Sequence, residues 1–416
     1  MAYRIGIANG YLDMLLMLKR FVESEMQVDS IAYDGGNTGD GYISAEGASD
    51  ASGVVADTWT INVLEDSGGI YFTVTGASYG LQSATGVVGT EYSTDSDELV
   101  FTLVNGNTAW ADGDEIVVTT AEGLGNDKWT VNEYDDSDVD GSPEKQLQIQ
   151  GVGTGLDEIF VGIQTYSTPA SSIYGWKLAG FTGYNPASTF ASQPGKHSGF
   201  PYTLFEDREM PYWIVANSRR ILMCYEVNGV YEWVHLGFLL PYGLPNENPY
   251  PLLIGGSSGI NTITITSQSY RHTAFWNHGA DSVISVETAG KVWDGSWFPI
   301  INKYGSSEYD QYGPYDVYRV WPYSIGHGGA TSSESYQQQF AGGLRANYDG
   351  SYPLFPTIVW KQRNTKRTIG QIQGLYMIPG DNVNAGDLIT ISGVDYYVLP
   401  NTHKITNAHW AALKME

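Results

Sequence analysis

Few residue groups in this sequence have the types and spacing of a catalytic site. Gly255-Gly256-Ser257-Ser258-Gly259 matches G-x-S-x-G, the pattern around the nucleophilic serine of many hydrolases. That serine works on a turn from a strand into a helix, whose N-terminus helps to stabilise an oxyanion. The residues that follow here, INTITITSQ, alternate as a strand does. We therefore interpret the motif as a small-residue turn between strands and expect no enzyme activity from it.

A second candidate is an acidic run that begins like a calcium-binding loop. Asp136, Asp138 and Asp140 alternate, and Gly141 follows at the sixth position. The twelfth position, which holds a bidentate acid in such loops, is Leu147. The run therefore predicts a solvated acidic turn, with a weak cation site as the alternative.

Histidine and cysteine usage gives no further site. No two of the seven histidines have the H-x3-H spacing of a zinc site, so we expect no metal and no cofactor. Cys224 is the single cysteine, which excludes an intrachain disulfide, and its apolar neighbours predict a buried thiol.

The charge of the chain is concentrated in one segment. Residues 28–158 contain 25 of the 46 acidic residues but only two of the 21 basic ones. Such a segment repels nucleic acid and anionic membranes, which argues against DNA binding. No apolar run approaches the roughly 20 residues that cross a bilayer, so we expect no membrane insertion.

A three-stranded meander is the clearest element that the sequence predicts. Its strands are Tyr212–Ala216, Arg219–Val227 and Val230–Leu240, and Asn228-Gly229 between the last two is a strong hairpin signal. Gly237 predicts a bulge in the third strand. Large apolar side chains on both faces predict that another sheet or another subunit covers each face.

Two further segments are apolar beyond what one packing face needs. Residues 9–27 predict a helix with Asn9 as N-cap and apolar residues around much of its circumference. It packs on the main domain in one interpretation and on a neighbouring subunit in the other. Four prolines between residues 241 and 251 hold the chain extended, and Tyr242 and Tyr250 are expected to anchor it.

The overall pattern predicts a mainly β protein. We expect an antiparallel sandwich or barrel-like main domain, one N-terminal helix and an inserted small β-sandwich. The predicted divisions are 1–27, the helix packing on the main domain; 28–56, a connection; 57–120, the inserted sandwich; 121–158, an acidic connection; and 159–416, the main domain.

Several stretches resemble a family of tailed-bacteriophage virion structural proteins. They are MAYRIGIANGYLDMLLMLKRF, IFVGIQTYSTPASSIYGWKLAGFTGYNPASTFASQPG, GVYEWVHLGFLLPYGLPNENPYPLLIGGS, WDGSWFP and LITISGVDYYVLPNTHKITNAHWAALKM. Together they cover about residues 1–23 and 159–416 in family order. The resemblance implies a virion subunit that binds other phage virion proteins and forms a homo-oligomer in a symmetric ring. By analogy we favour the tail end or baseplate.

Two alternative roles stay open, a neck or collar component and a receptor-binding or carbohydrate-binding tail spike. The aromatic stretch from Tyr304 to Tyr323 suits either a sugar-stacking surface or a protein interface. The resemblance favours the interface. The residues that we predict to lie in the assembly interface are Leu12, Met14, Met17, Phe21, Trp213, Trp233, Tyr242, Tyr250, Trp293 and Trp297.

Overall fold

A computed structural model describes residues 2–23, 26–48, 56–95, 98–122, 124, 127–135, 145–154, 157–169, 173–196, 201–227, 229–244, 250–256, 282–285, 297–300, 318–321, 345–361, 367–400 and 410–415. These residues form several antiparallel sheets and one helix, as predicted, and their strands do not close a barrel. The chain divides into two units, one of residues 1–4 and 15–130, the other of residues 5–14 and 131–416. None of the described helical residues forms a span long and apolar enough to cross a membrane.

The chain begins with strand β1, Ala2–Asn9, followed by helix α1, Gly10–Glu23. The backbone N–H of Asn9 donates to Asp13 Oδ2 at 2.8 Å, which closes the first turn. The helix ends four residues before the predicted limit because the next strand starts at Met26. The division between the two units falls inside α1, whereas we predicted that the helix belongs to the main domain.

The predicted sandwich is present and consists of two sheets. One sheet has the strand order β2-β10-β4-β5-β6, with β7 also paired to β5, and the other has the order β3-β9-β8. The strands are β2 Met26–Tyr33, β3 Tyr42–Ala48, β4 Thr58–Asp66, β5 Gly69–Gly76, β6 Gly80–Leu81, β7 Gly86–Val87, β8 Glu91–Ser93, β9 Leu99–Val104 and β10 Glu115–Glu122. Trp59, Phe72 and Phe101 belong to one apolar core that joins the two sheets.

The sandwich starts earlier than predicted, because β2 and β3 lie within the supposed connection 28–56. β2 pairs with β10, and β3 pairs with β9. Glycine, serine and aspartate dominate this segment, so its strand character is weak in the sequence. Ile31 and Ile43 nevertheless meet the core, since strands β10 and β9 supply most of the apolar surface beside them.

Acidic side chains hold the loops of the sandwich in place. The buried carboxylate of Asp114 accepts hydrogen bonds from the backbone N–H groups of Thr38 (2.7 Å), Gly39 (2.9 Å) and Ala111 (2.9 Å). Burial alone would raise the pKa of Asp114, but these three donors lower it, and the net pKa lies below its ordinary value. Some of the acidic residues that give segment 28–158 its negative charge therefore stabilise the loops of the sandwich.

A separate five-stranded sheet, which we call the second sheet, precedes the meander and includes part of the predicted acidic connection 121–158. Its strands lie in sequence order, and the pairs β12–β13, β13–β14 and β14–β15 are antiparallel. The strands are β11 Thr130–Asp135, β12 Gln146–Gln150, β13 Phe160–Thr168, β14 Ile173–Phe181 and β15 Tyr202–Phe205. Leu147, Ile163 and Leu178 are fully buried neighbours across three of these strands, and they form its inner face.

The main sheet has fourteen strands, and β1 and β26 are its two ends. The order is β1-β16-β17-β18-β20-β21-β22-β23-β24-β25-β28-β27-β26, with β19 beside β25, and β22 and β23 pair parallel. The remaining strands are β16 Glu209–Asn217, β17 Arg220–Val227, β18 Val230–Phe238, β19 Leu240–Pro241, β20 Leu252–Gly256, β21 Ser282–Ser285, β22 Trp297–Ile300, β23 Tyr318–Trp321, β24 Phe355–Lys361, β25 Arg367–Ile378, β26 Leu388–Ile391, β27 Val394–Pro400 and β28 Trp410–Lys414.

The predicted meander corresponds to β16–β18, and its hairpin is confirmed. Val227 pairs with Val230, so two residues connect the strands, and Gly229 has the positive φ (+76°) that such a turn requires. The predicted bulge at Gly237 is not observed, because the register stays constant through it. Glycine is needed there for another reason: its φ is +124°, and a Cβ would lie 2.4 Å from the Arg219 carbonyl oxygen.

Both faces of the meander are covered within the chain. One face meets the second sheet, where the ring of Phe205 on β15 stacks on the ring of Tyr225 on β17. The other face meets β25 and β27, because the main sheet curls back on itself. There the Asn217 Nδ2 donates to Gln373 Oε1 at 3.3 Å. The core therefore has three layers of sheet, with the meander in the middle.

Candidate assembly surfaces

Most of the predicted interface residues lie in the interior of the folded chain. On α1, Met14, Met17 and Phe21 are buried, and Leu12 is half-buried. The indole Nε1 of Trp176, in β14, donates to the Tyr11 carbonyl oxygen at 3.0 Å. A partner that binds the folded chain cannot contact these buried side chains, which corrects the interface prediction for them.

Trp213 and Trp233 are also buried, on the meander face that meets the curled part of the main sheet. The ring of Trp213 lies 6.0 Å from that of Tyr231 and 6.5 Å from that of Tyr397 on β27. The local sequence correctly predicted that this face is covered. A distant part of the same sheet covers this face, so Trp213 and Trp233 contact their own chain where we predicted contact with a neighbouring subunit.

The same meander face buries two ionisable side chains completely. His235 Nδ1 lies 3.1 Å from the Leu253 carbonyl oxygen, so this nitrogen carries the proton. Burial lowers the pKa of His235 to about 3, and it lowers that of Arg220 to about 9. His235 is therefore neutral and Arg220 is charged at pH 7. Cys224, beside them, is buried as predicted, and burial raises the pKa of its thiol.

The two tyrosines of the proline segment anchor it, as predicted. The Tyr250 hydroxyl donates to the Glu158 carbonyl oxygen at 2.7 Å, and its ring lies edge-on to Phe238 with centroids 4.9 Å apart. The Tyr242 hydroxyl donates to Gln371 Oε1 at 2.7 Å. Burial raises the pKa of both hydroxyls. Tyr250 is buried and Tyr242 is half-buried, so their contacts are mainly within the chain.

The other candidate residues lie wholly or partly outside the described residues. Trp293 and the acidic run Asp136, Asp138 and Asp140 are outside them. Trp297 lies in β22, where only the backbone is described. Of the G-x-S-x-G motif, Gly255 and Gly256 belong to β20 and the rest is outside. In the part of the chain that the structure describes, no group of three potential metal ligands is close enough to hold an ion.

Part of the apolar surface that a partner can reach lies at the ends of the main sheet. In β1, Ile5 is 38% exposed and Ile7 is 65% exposed. The inward positions of this strand hold Gly6 and Ala8, because a Cβ on Gly6 would lie 2.7 Å from the Tyr212 hydroxyl oxygen. The larger side chains consequently point outward. The alternation in RIGIAN could have indicated this strand, but we predicted only the helix that follows.

Three more exposed leucines occur in the same unit. Leu388 in β26, at the opposite end of the main sheet, is 56% exposed. Leu240 and Leu244, beside the proline segment, are also exposed. Edge strands with exposed apolar side chains are the parts of a sheet most prone to pair with another chain. These positions therefore replace the buried residues as candidate assembly contacts.

Comparison of the sequence with protein-family models and with curated proteins found no match. A function for the chain consequently has to be argued from its sequence and from the surfaces described above.

Proposed function

We propose that this chain is a structural subunit of a tailed-phage virion, and within the virion a component of the tail end or baseplate. The sequence resemblance supports the class, and the exposed isoleucines of β1 support an assembly role. Soluble monomers rarely leave an edge strand with such side chains uncovered. The subunit would bind copies of itself and other virion proteins, without turning over a substrate.

Such an assembly contact should be large. Stable interfaces bury more than roughly 1,000 Å² in total, far more than two isoleucines provide, so the contact would extend from β1 over neighbouring surface. The acidic sandwich should stay outside it, because carboxylates that lose water without gaining a partner are costly to bury. A closed ring is the expected form, since repeated identical contacts in soluble assemblies usually close.

Paired charge substitutions test this proposal. Ile7→Lys places a charge on the proposed contact, and Leu81→Lys is the matched control, because Leu81 is 68% exposed but lies on the sandwich. Each variant would be co-expressed with tail proteins, and subassemblies would be separated by sedimentation. Incorporation should fall at least tenfold for Ile7→Lys and stay unchanged for Leu81→Lys. A wild-type chain that remains a monomer and joins no virion subassembly would refute the proposal.

A further inference from the structure

The exposed isoleucines of β1 lie on a defined face of the main sheet. A Cβ on Gly6 would lie 2.7 Å from the Tyr212 hydroxyl oxygen, so Gly6 and Tyr212 lie on one face. Side chains alternate along a strand, and Ile5 and Ile7 therefore lie on the other face. That other face is the one from which Trp213, the residue after Tyr212, packs toward β27. The two isoleucines consequently border the space between the layers that Trp213 enters.

Leu388, in the strand at the other end of the sheet order, faces the same space from the opposite layer. It pairs with Tyr397 on β27, and directly paired residues of antiparallel strands have their side chains on one face. The Tyr397 ring lies 6.5 Å from that of Trp213, so this face of β26 and β27 is turned toward the meander. Thr390 and Asp395, a second pair on this face, lie beside the hairpin turn, where the Thr390 hydroxyl donates to Asp395 Oδ1 at 2.6 Å. The Asp395 carboxylate is exposed, so it can keep its water at the margin of a contact.

The curl of the main sheet brings β1 and β26 to the same side of its two layers. β17 lies over β25, where a Cβ on Gly374 would be 2.7 Å from Arg220 Nη2, and the next strand, β16, lies over β27, where Trp213 meets Tyr397. One strand further in the same direction are β1 in one layer and β26 in the other. Among the described strands, β1 pairs only with β16 and β26 only with β27. Both layers therefore end together in strand edges, roughly 10 Å apart as stacked sheets are, with exposed apolar side chains between them.

We propose that this open end of the main sheet binds the same end of a second copy of the chain about a two-fold axis. β1 pairs with β1 of the other copy and β26 with its β26, each in the antiparallel orientation that a two-fold axis perpendicular to the layers requires. Both layers then continue from one copy into the next, and Ile5, Ile7 and Leu388 are buried at the junction. That this pairing takes place in a virion rests on the proposed function, whereas the pairing itself does not.

A second copy fits this end better than an unrelated partner does. The occupant has to present two strand edges at the spacing of stacked sheets and apolar side chains between them, and the same end of another copy has both properties. A single extended peptide pairs with one of the two edges and leaves the other uncovered. Charge does not oppose the contact, because the residues outside 28–158 include 21 acidic and 19 basic ones. A two-fold contact closes after two copies, so a larger ring would be assembled from such pairs.

Crosslinking within one chain tests whether the two edges converge. The variant Ile7→Cys/Leu388→Cys would be treated at low protein concentration with a bis-maleimide that spans roughly 10 Å, the separation of stacked sheets. Ile7→Cys/Ile389→Cys is the matched control, because Ile389 is the next residue of β26 and lies on its other face. Cys224 is buried and does not react, and N-ethylmaleimide labelling establishes that the introduced thiols do. Mass spectrometry should find at least tenfold more intrachain crosslink in the first variant, and equal yields would overturn the proposal.

Sedimentation velocity of the purified chain tests whether the occupant is a second copy. The wild type should sediment as a dimer. Ile7→Lys and Leu388→Lys should each weaken the dimer at least tenfold, because each places a charge between the layers. Leu81→Lys, on the sandwich, is the control and should stay dimeric. A monomeric wild type, which would mean that a different partner covers this end, overturns the proposal, and so does a Leu388→Lys variant that dimerises like the wild type.

Co-expression with tail proteins separates this contact from the proposed function. A chain that dimerises through both strand edges but joins no virion subassembly leaves the contact standing and refutes the assembly function. A monomeric chain that joins the subassembly refutes the contact alone.

Discussion

The ring of Phe205, on β15, stacks on the ring of Tyr225, on β17, with centroids 4.1 Å apart and an interplanar angle of 14°. The Tyr225 hydroxyl donates to the Leu204 carbonyl oxygen at 2.6 Å and lies 2.5 Å from Thr203 Oγ1. One tyrosine thus joins the second sheet to the meander through both its ring and its hydroxyl. The contact lies between the second sheet and the meander, where water does not compete.

Tyr225→Phe should lower the free energy of unfolding by about 1–3 kcal/mol, because it keeps the ring but leaves a buried carbonyl oxygen and hydroxyl unsatisfied. Tyr231→Phe is the control, since the Tyr231 hydroxyl donates to the half-buried Glu226, which water can reach. Its cost should be about 0.5 kcal/mol. Urea unfolding of both variants measures the difference. Equal costs would show that the Tyr225 hydroxyl does not join the sheets.

Gly374→Ala should be far more harmful than Gly393→Ala, although the two glycines have nearly equal φ angles of +82° and +80°. Both substitutions add backbone strain of about 1–3 kcal/mol. A Cβ on Gly374 would also lie 2.7 Å from Arg220 Nη2, whereas the space around Gly393 is open. The difference between the unfolding midpoints of the two variants measures the cost of the clash with Arg220 alone. Similar midpoints would mean that Arg220 can move away, which its complete burial argues against.

Asp114→Asn should destabilise the sandwich by about 1–3 kcal/mol at pH 7, because an amide N–H₂ would face backbone N–H groups. Asp112→Asn, on the exposed neighbouring acid, is the control and should be neutral. The pKa of Asp114 is lowered on folding from 3.8. Its stabilisation is therefore present above about pH 4 and is lost as the pH falls through the folded pKa. The stability difference between wild type and Asp114→Asn should shrink below pH 4, and a constant difference would contradict this account.

His235 should make the main domain sensitive to mild acid. Its folded pKa of about 3 lies below the unfolded value of 6.5, so only the unfolded chain binds a proton between these values. Stability is consequently full above pH 6.5 and falls as the pH drops toward 3, by about 2 kcal/mol between pH 7 and pH 5. His235→Asn keeps an N–H donor for Leu253 but does not titrate. Unfolding curves at pH 7 and pH 5 should differ less for this variant, and identical pH dependence would contradict the prediction.

The local sequence pattern was sufficient to predict the meander and its turn. Asn228-Gly229 sits between two runs of strand-forming residues, and this neighbourhood alone sets the register of Val227 against Val230. The core of the sandwich could likewise be predicted, because the runs around Trp59, Phe72 and Phe101 alternate strictly.

Which part of the protein covers the meander could not be predicted, because this depends on pairing between segments that are distant in the sequence. Trp213 meets Tyr397 only after the main sheet has curled through its whole width. Nothing near Trp213 in the sequence distinguishes a sheet of the same chain from a neighbouring subunit.

The position of β1 in the main sheet has a consequence during synthesis on the ribosome. Its neighbour in the sheet is β16, which begins at Glu209, 200 residues after Asn9. At about 5–20 residues per second, β1 waits roughly 10–40 s for that strand to be made, while the sandwich, complete by residue 122, has time to fold. During this interval the strand with Ile5 and Ile7 is an unpaired apolar segment, to which a chaperone can bind.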